Sequence, residues 1–278
     1  MADLDPITAP SGPGVVLSLE GAIAFVTLNR PDAYNAIDAD VTRLLREAID
    51  EIERSTQVRV IVLRGAGKGF CAGGDLPFFA AQGTGLREAV DRMLDDGNHF
   101  LQALRSTNKL VVASVHGAAA GAGLSLVMAC DFCIAASDAV FVPAYAQLAV
   151  SPDMGGTAHM VRAIGVRNAM RVFFLEDRFD ALQAERLGIV SRVVDAPSLS
   201  EATLALALRL AGLSRTSSEA TKALLRQAPL TDLRTQLAAE LDAFQTCIHG
   251  AETQAALRTF THKRTGRESP SIPQETPR

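Results

Sequence analysis

The chain has 278 residues, of which 48% are apolar and 21% charged, and it carries a net charge of −4. That length suits one domain plus an accessory element, and that composition supports a real core. The slightly acidic balance gives no electrostatic reason to expect nucleic acid or an anionic membrane surface as partner.

Residues 1–13 and 265–278 cluster Pro, Ser and charge, the composition of disordered tails. No basic segment followed by an apolar one opens the chain, so no signal peptide is expected. No stretch approaches the ~18 uninterrupted apolar residues of a membrane helix, so a soluble, cytoplasmic protein is the expectation. Residues 15–20 and 22–28 flank Gly21 and predict a hairpin. Asp38 or Asp40 then caps a helix whose apolar positions, Val41, Leu44, Leu45, Ala48, Ile49 and Ile52, fall at helical spacing. Residues 58–63 read as a buried strand, followed by a Gly-rich loop at 64–74 and a helix over 86–104.

A second apolar strand covers 110–115, and another Gly-rich turn leads to 124–129, read as helix because it follows small residues directly. Short strands at 132–135 and 140–142 complete a strand–helix–strand order, which predicts parallel pairing covered by helices. From Ser198 the sequence becomes rich in Ala, Leu, Glu and Arg and loses its strand signals. The expected organisation is therefore an α/β core at 14–197 and a helical region at 198–264. Cys71, Cys130, Cys133 and Cys247 read as free thiols in a reducing compartment, because the one C-x-x-C lies in an apolar run without a second pair. No metal is expected.

Two segments share a strand, a turn of small residues and then a helix: GKGFCAGGDL (67–76) and HGAAAGAGLSL (116–126). Such turns leave the first N–H groups of a helix unpaired and open to a developing negative charge. One alone is commonly just close helix–strand packing. No P-loop is present, and Gly65, Gly67 and Gly69 have the wrong spacing for a dinucleotide fingerprint.

Together with LNRPDAYNAI (28–37), VHGAAAGAGLSLVMACD (115–131) and SPDMGGTAHMVRAIG (151–165), the first of these turns resembles successive blocks of the crotonase (enoyl-CoA hydratase/isomerase) superfamily. The resemblance covers about residues 15–265. It implies a spiral of ββα units with a helical C-terminal trimerisation region, assembled as a trimer or a dimer of trimers. It also implies an acyl-CoA thioester as substrate, with coenzyme A entering as part of that substrate and no separate cofactor. The backbone N–H groups of Gly74 and Ala122 would form the oxyanion hole, with alanine at 122 where the family usually has glycine. Ala36, Ala72, Gly73, Asp75, Leu76 and Gly121 would border the thioester and coenzyme A, and Lys263 and Arg264 would meet the nucleotide phosphates.

The resemblance places Ser125 and Tyr145 where hydratases have two glutamates, and neither is a carboxylate base. Asp153 matches the aspartate of several isomerases and dehalogenases of the superfamily. It would shuttle a proton between two carbons while the enolate is held. Against this, Asp153 is also well placed to cap the helix expected over 155–164. Tyr145 reads either as an aromatic wall of the pocket or as a hydrogen-bond donor, and His116 as a supporting hydrogen bond rather than a catalyst. Asp91, Asp95, Asp96 and His99 read as a solvated helix face, with one of them able to reach substrate. Ser125 lacks the elbow of a serine nucleophile. The resulting expectation is an enoyl-CoA isomerase. Hydration, thioester hydrolysis, dehalogenation or silent acyl-CoA binding on the same hole are the alternatives.

Overall fold

The computed structural model describes residues 12–265, so the remainder of both expected tails lies outside the described residues. The chain divides into two compact units after Gly212. The first contains β1 (Val15–Glu20), β2 (Ile23–Leu28), α1 (Ala39–Arg54), β3 (Val60–Gly65), α2 (Leu76–Ala81), α3 (Leu86–Ser106), β4 (Leu110–Val115) and β5 (Ala118–Ala120). It continues with α4 (Ala122–Ala129), β6 (Phe132–Ala136), β7 (Val140–Val142), α5 (Gly156–Leu175), β8 (Phe179–Asp180), α6 (Ala181–Leu187), β9 (Arg192–Val194) and α7 (Leu199–Ala211). The second holds α8 (Arg215–Gln227), α9 (Leu233–His249) and α10 (Ala251–Thr265).

The main sheet runs β1-β2-β3-β4-β6-β9. Its first pair is the expected antiparallel hairpin, and every later pair is parallel. The unbroken apolar runs of β2, β3 and β4 follow from burial on both faces. Alternate residues divide between two cores: Ala24, Val26, Ile61, Leu63, Val111 and Ala113 join the larger one. Ile23, Phe25, Val60, Val62 and Val112 join the smaller, against Ala207 and Leu210 of α7.

On the larger core side, α1 buries Val41, Leu45, Ala48, Ile49 and Ile52, and Asp38 caps it by accepting from the Val41 N–H at 2.9 Å. The polar faces of α1 and α3 meet: Arg46 pairs with Asp96 at 2.9 Å and with Asp95 at 3.5 Å, and His99 bonds Asp50 at 2.8 Å. Three of the four polar residues read from sequence as a solvated face thus tie two helices together, while Asp91 is exposed.

Three elements depart from expectation. The smaller sheet, β5-β7-β8, turns part of the second glycine-rich segment into a strand, because Ala118–Ala120 pairs in parallel with Val140–Val142. The helix expected over 155–164 continues to Leu175 with a break at Gly165, whose φ is 75° and ψ 160°. Finally, α7 lies on the sheet within the first unit, so the boundary falls after Gly212 and not at 198. A buried hydroxyl pair, Ser114 to Thr203 at 2.9 Å, joins β4 to α7.

In the second unit, Ser214 caps α8 and Asp232 caps α9 through side-chain oxygens. Gln236 of α9 donates to the Leu224 carbonyl of α8 at 3.2 Å. Among the described residues no helix is long and apolar enough to cross a membrane. Thr203→Val removes one partner of a buried hydroxyl pair and is expected to lower stability by about 1–3 kcal/mol in urea unfolding. An unchanged midpoint and slope would show that the pair does not fasten α7 to the sheet.

Candidate functional site

After β3 the chain enters residues 70–75, which belong to no long strand but are paired on both sides. On one side the Phe70 N–H donates to the His116 carbonyl, Cys71 to Ala118, and Ala120 back to Cys71, each at 2.9 Å. On the other, Ala72 donates to the Tyr34 carbonyl at 3.0 Å, Ile37 to Gly73 at 2.7 Å and Asp75 to Ile37 at 2.9 Å. In a parallel bridge the residue opposite Ile37 directs its own N–H away from it. That residue is Gly74, and its N–H has no partner among the described residues.

The second donor lies beside it. Gly121 adopts φ 49° and ψ −119°, a conformation open to glycine and closed to other residues, and so turns β5 sharply into α4. Ala122 is the first residue of α4, where the N–H has no intrahelical acceptor. Ala122 itself is not among the residues with positive φ, so an alanine fits there and keeps the donor. A Cβ built on Gly73 would lie 2.8 Å from the Ala120 carbonyl oxygen and 3.5 Å from the Ala122 nitrogen, a fit only glycine allows. The two unpaired donors therefore belong to backbone segments in direct contact.

One turn along α4, Ser125 begins a chain of side-chain bonds. Its Oγ lies 2.9 Å from the Tyr145 hydroxyl, which donates to Asp153 Oδ1 at 2.9 Å. Ser125 Oγ also lies 3.1 Å from the Asp153 carbonyl oxygen. Asp153 does not cap α5. Met154 and Gly155 are both left-handed, Gly155 takes the N-cap position, and no side chain caps it. The Asp153 carbonyl accepts from Gly156 at 2.9 Å, while its carboxylate turns to Tyr145. Burial raises the Asp153 pKa above the ordinary carboxylate value, and the Tyr145 bond pulls it partly back. Burial beside this carboxylate also pushes the Tyr145 phenol upward, so it stays a donor. Tyr145 thus acts as a donor and also rests against Phe173, with ring centroids 6.2 Å apart.

The remaining expected residues divide. Ala72 and Leu76 are exposed along the rim, Ala36 is just covered, and Gly121 is buried at the turn. The Asp75 carboxylate is held inside the loop, where it caps α2 through the Phe78 N–H at 2.9 Å and pairs with Arg30 at 2.9 Å. His116 bonds the Gly67 carbonyl at 2.8 Å, a supporting contact as expected. Cys71 is buried with its thiol pushed up to about 12 by desolvation, which keeps it inert. Lys263 and Arg264 lie in the last turn of α10, and their side chains fall outside the described residues.

Two residues that the sequence reading passed over organise the loop. Arg30 pairs with Asp38 at 3.0 Å and Asp75 at 2.9 Å, and donates to the Ala36 carbonyl at 2.7 Å. Asn35, buried and left-handed at φ 57°, donates to the carbonyls of Ala66 and Gly69 at 2.8 Å each. The signal was available: Asn tolerates this backbone region better than other non-glycine residues, and Arg30 is followed by Asp32 and Asp38, with Asp75 near the end of the next motif.

Comparison with known proteins bears on the same residues. The family model described as enoyl-CoA hydratase/isomerase matches residues 18–267. A short-chain-enoyl-CoA hydratase of Clostridium acetobutylicum is 32% identical over 90% of this chain and 95% of its own length. A 1,2-epoxyphenylacetyl-CoA isomerase of Escherichia coli is 33% identical over 90% of this chain and 96% of its own. A crystal structure of an enoyl-CoA hydratase from Polaromonas sp. JS666 superposes with a TM-score of 0.84 at 32% identity, covering 90% of this chain and 98% of the other. Arg30→Ala leaves the Asp75 carboxylate without its cation and frees the loop from α1. It is expected to cost about 1–3 kcal/mol in denaturant unfolding, and a wild-type midpoint would show that the clamp is dispensable.

Proposed function

We propose, from the premise that this chain belongs to the enoyl-CoA hydratase/isomerase family, that it is an enzyme shifting the double bond of a 3-enoyl-CoA thioester into conjugation. In this reading the N–H groups of Gly74 and Ala122 receive the thioester oxygen. Asp153 removes a proton from C2, the electrons move onto that oxygen as a dienolate, and Asp153 returns the proton to C4. Two preorganised dipoles favour the developing oxyanion over the ground-state carbonyl, and one such donor is typically worth on the order of 10²–10³ in rate. The reaction needs no cofactor, since coenzyme A arrives with the substrate. Ala36, Ala72, Gly73, Leu76 and Gly121 would border that moiety, and Lys263 and Arg264 would meet its phosphates.

The observation that carries the isomerase reading is the single carboxylate joined to α4 through hydroxyls. Ser125 and Tyr145, at the positions where the resemblance expects hydratase glutamates, bond each other and Asp153. Two hydroxyls cannot supply the carboxylate pair that positions and activates water. Hydration is the second reading because most of the similar proteins carry hydratase names. It would have to run on Asp153 alone.

A homo-oligomer fits the same reading. Leu233, Leu237, Leu241 and Phe244 recur along α9 at helical spacing, and all are more than half exposed. Light scattering is expected to give a trimer or a multiple of it, and a monomer would contradict this.

Purified protein mixed with a 3-enoyl-CoA is expected to produce the ultraviolet absorbance of the conjugated thioester. Asp153→Asn should lower that rate by roughly 10²–10⁴-fold. Only ionised Asp153 can take the proton, so activity falls as pH drops through its raised pKa. The acidic limb of kcat/KM should therefore lie above the ~3.9 of a free aspartate. Wild-type rates in the variant would remove Asp153 from the chemistry.

A further inference from the structure

We infer that Ser125 and Tyr145 are positioning residues acting in series, so that Asp153 binds its support through Oδ1 and exchanges protons with substrate through Oδ2 alone. This rests on the reading of Asp153 as the proton shuttle.

Counting hydrogens gives the direction. Tyr145 has one hydroxyl hydrogen and lies 2.9 Å from both Ser125 Oγ and Asp153 Oδ1. An ionised carboxylate offers no hydrogen, so Tyr145 must donate to it. The 2.9 Å contact between Tyr145 and Ser125 would then face oxygen to oxygen with nothing between, unless Ser125 donates. The serine hydrogen has two acceptors in reach, the Tyr145 oxygen and the Asp153 carbonyl at 3.1 Å. That carbonyl already accepts from the Gly156 N–H at 2.9 Å, so it keeps a partner when the serine turns to the tyrosine. The consistent arrangement with Asp153 ionised is Ser125 to Tyr145 to Oδ1.

Oδ2 bonds no other described residue. A proton arriving from C2 therefore settles on Oδ2 without disturbing the bond at Oδ1, and leaves from the same atom to C4. Nothing else is oxidised, reduced or displaced. The backbone carries matching strain: Ala144, directly before Tyr145, has φ 49°, and Met154, directly after Asp153, has φ 47°. Non-glycine residues hold such angles only where surroundings enforce them.

The test labels aspartate carboxyl carbons and follows Asp153 by NMR titration in wild type, Tyr145→Phe, Ser125→Ala and the double variant, with Asp153→Asn identifying the signal. Tyr145→Phe is expected to raise the Asp153 pKa by about one unit, a tenfold change in ionisation. Ser125→Ala should raise it less, and the double variant should match Tyr145→Phe, because serine acts only through the tyrosine. The acidic limb of kcat/KM should move by the same amounts. An unmoved pKa in Tyr145→Phe, or single shifts that add in the double variant, overturns the series. The titration needs no turnover, so it decides the relay even if 3-enoyl-CoA proves not to be a substrate. That second failure would fall on the function alone.

Discussion

The arrangement depends on residues 70–75 being held as a strand that belongs to neither sheet. Backbone bonds from residues 34–37 on one side and from residues 116–120 on the other give partners to four of its six N–H groups and two of its carbonyls, and the Gly73 N–H bonds the Cys71 sulfur. A buried segment must satisfy its N–H and C=O groups, and the Gly74 N–H is the visible omission. The omission is imposed by alternation: a residue bridged to Ile37 sends its own N–H the other way, and the adjoining Gly73 packs against the start of α4. There Gly121 forces a helix to begin, which leaves the Ala122 N–H equally unpaired. Two unpaired N–H groups thus arise from two backbone rules meeting, with no charged side chain required.

Polar side chains then fix what the backbone leaves loose. Arg30 joins the caps of α1 and α2 by pairing with Asp38 and Asp75, so one guanidinium sets the entry angles of both helices. Asn35 supports the turn at Ala66 and Gly69 from below. Among the described residues, the five non-glycine ones with positive φ, Tyr34, Asn35, Ala144, Ala149 and Met154, all lie in the segments delivering the loop, Tyr145 and Asp153. Strain of this kind gathers where geometry serves a ligand, and the two packed cores supply the rigidity that holds it.

Sequence periodicity was enough for the elements whose burial follows a simple rule. The hairpin, α1, β4 and β7 could all be read because each buries a face or a whole strand at its own period, while the choice of Asp38 over Asp40 as the cap of α1 came from the structure. The strand Ala118–Ala120 could not, since alanines beside glycines have little β preference and its extended form comes from Cys71 and β7. Composition showed α7 to be a helix but not that it covers the second face of the sheet. The role of Asp153 was open for a similar reason. An aspartate two residues before a helix suggests a cap, and only the left-handed turn at Met154 and Gly155 shows the carboxylate swinging to Tyr145. The two donors were legible by resemblance, and the physical reason for an alanine at 122 became clear only from its φ.

The central claim is that one carboxylate beside a two-donor hole moves a proton without adding water. The most direct measurement is mass analysis of the products formed from a C2-deuterated 3-enoyl-CoA in heavy-oxygen water. The account predicts a conjugated 2-enoyl-CoA with no heavy oxygen and with part of its deuterium carried from C2 to C4. A 3-hydroxyacyl-CoA carrying heavy oxygen as the main product would contradict it and make hydration the activity of this site.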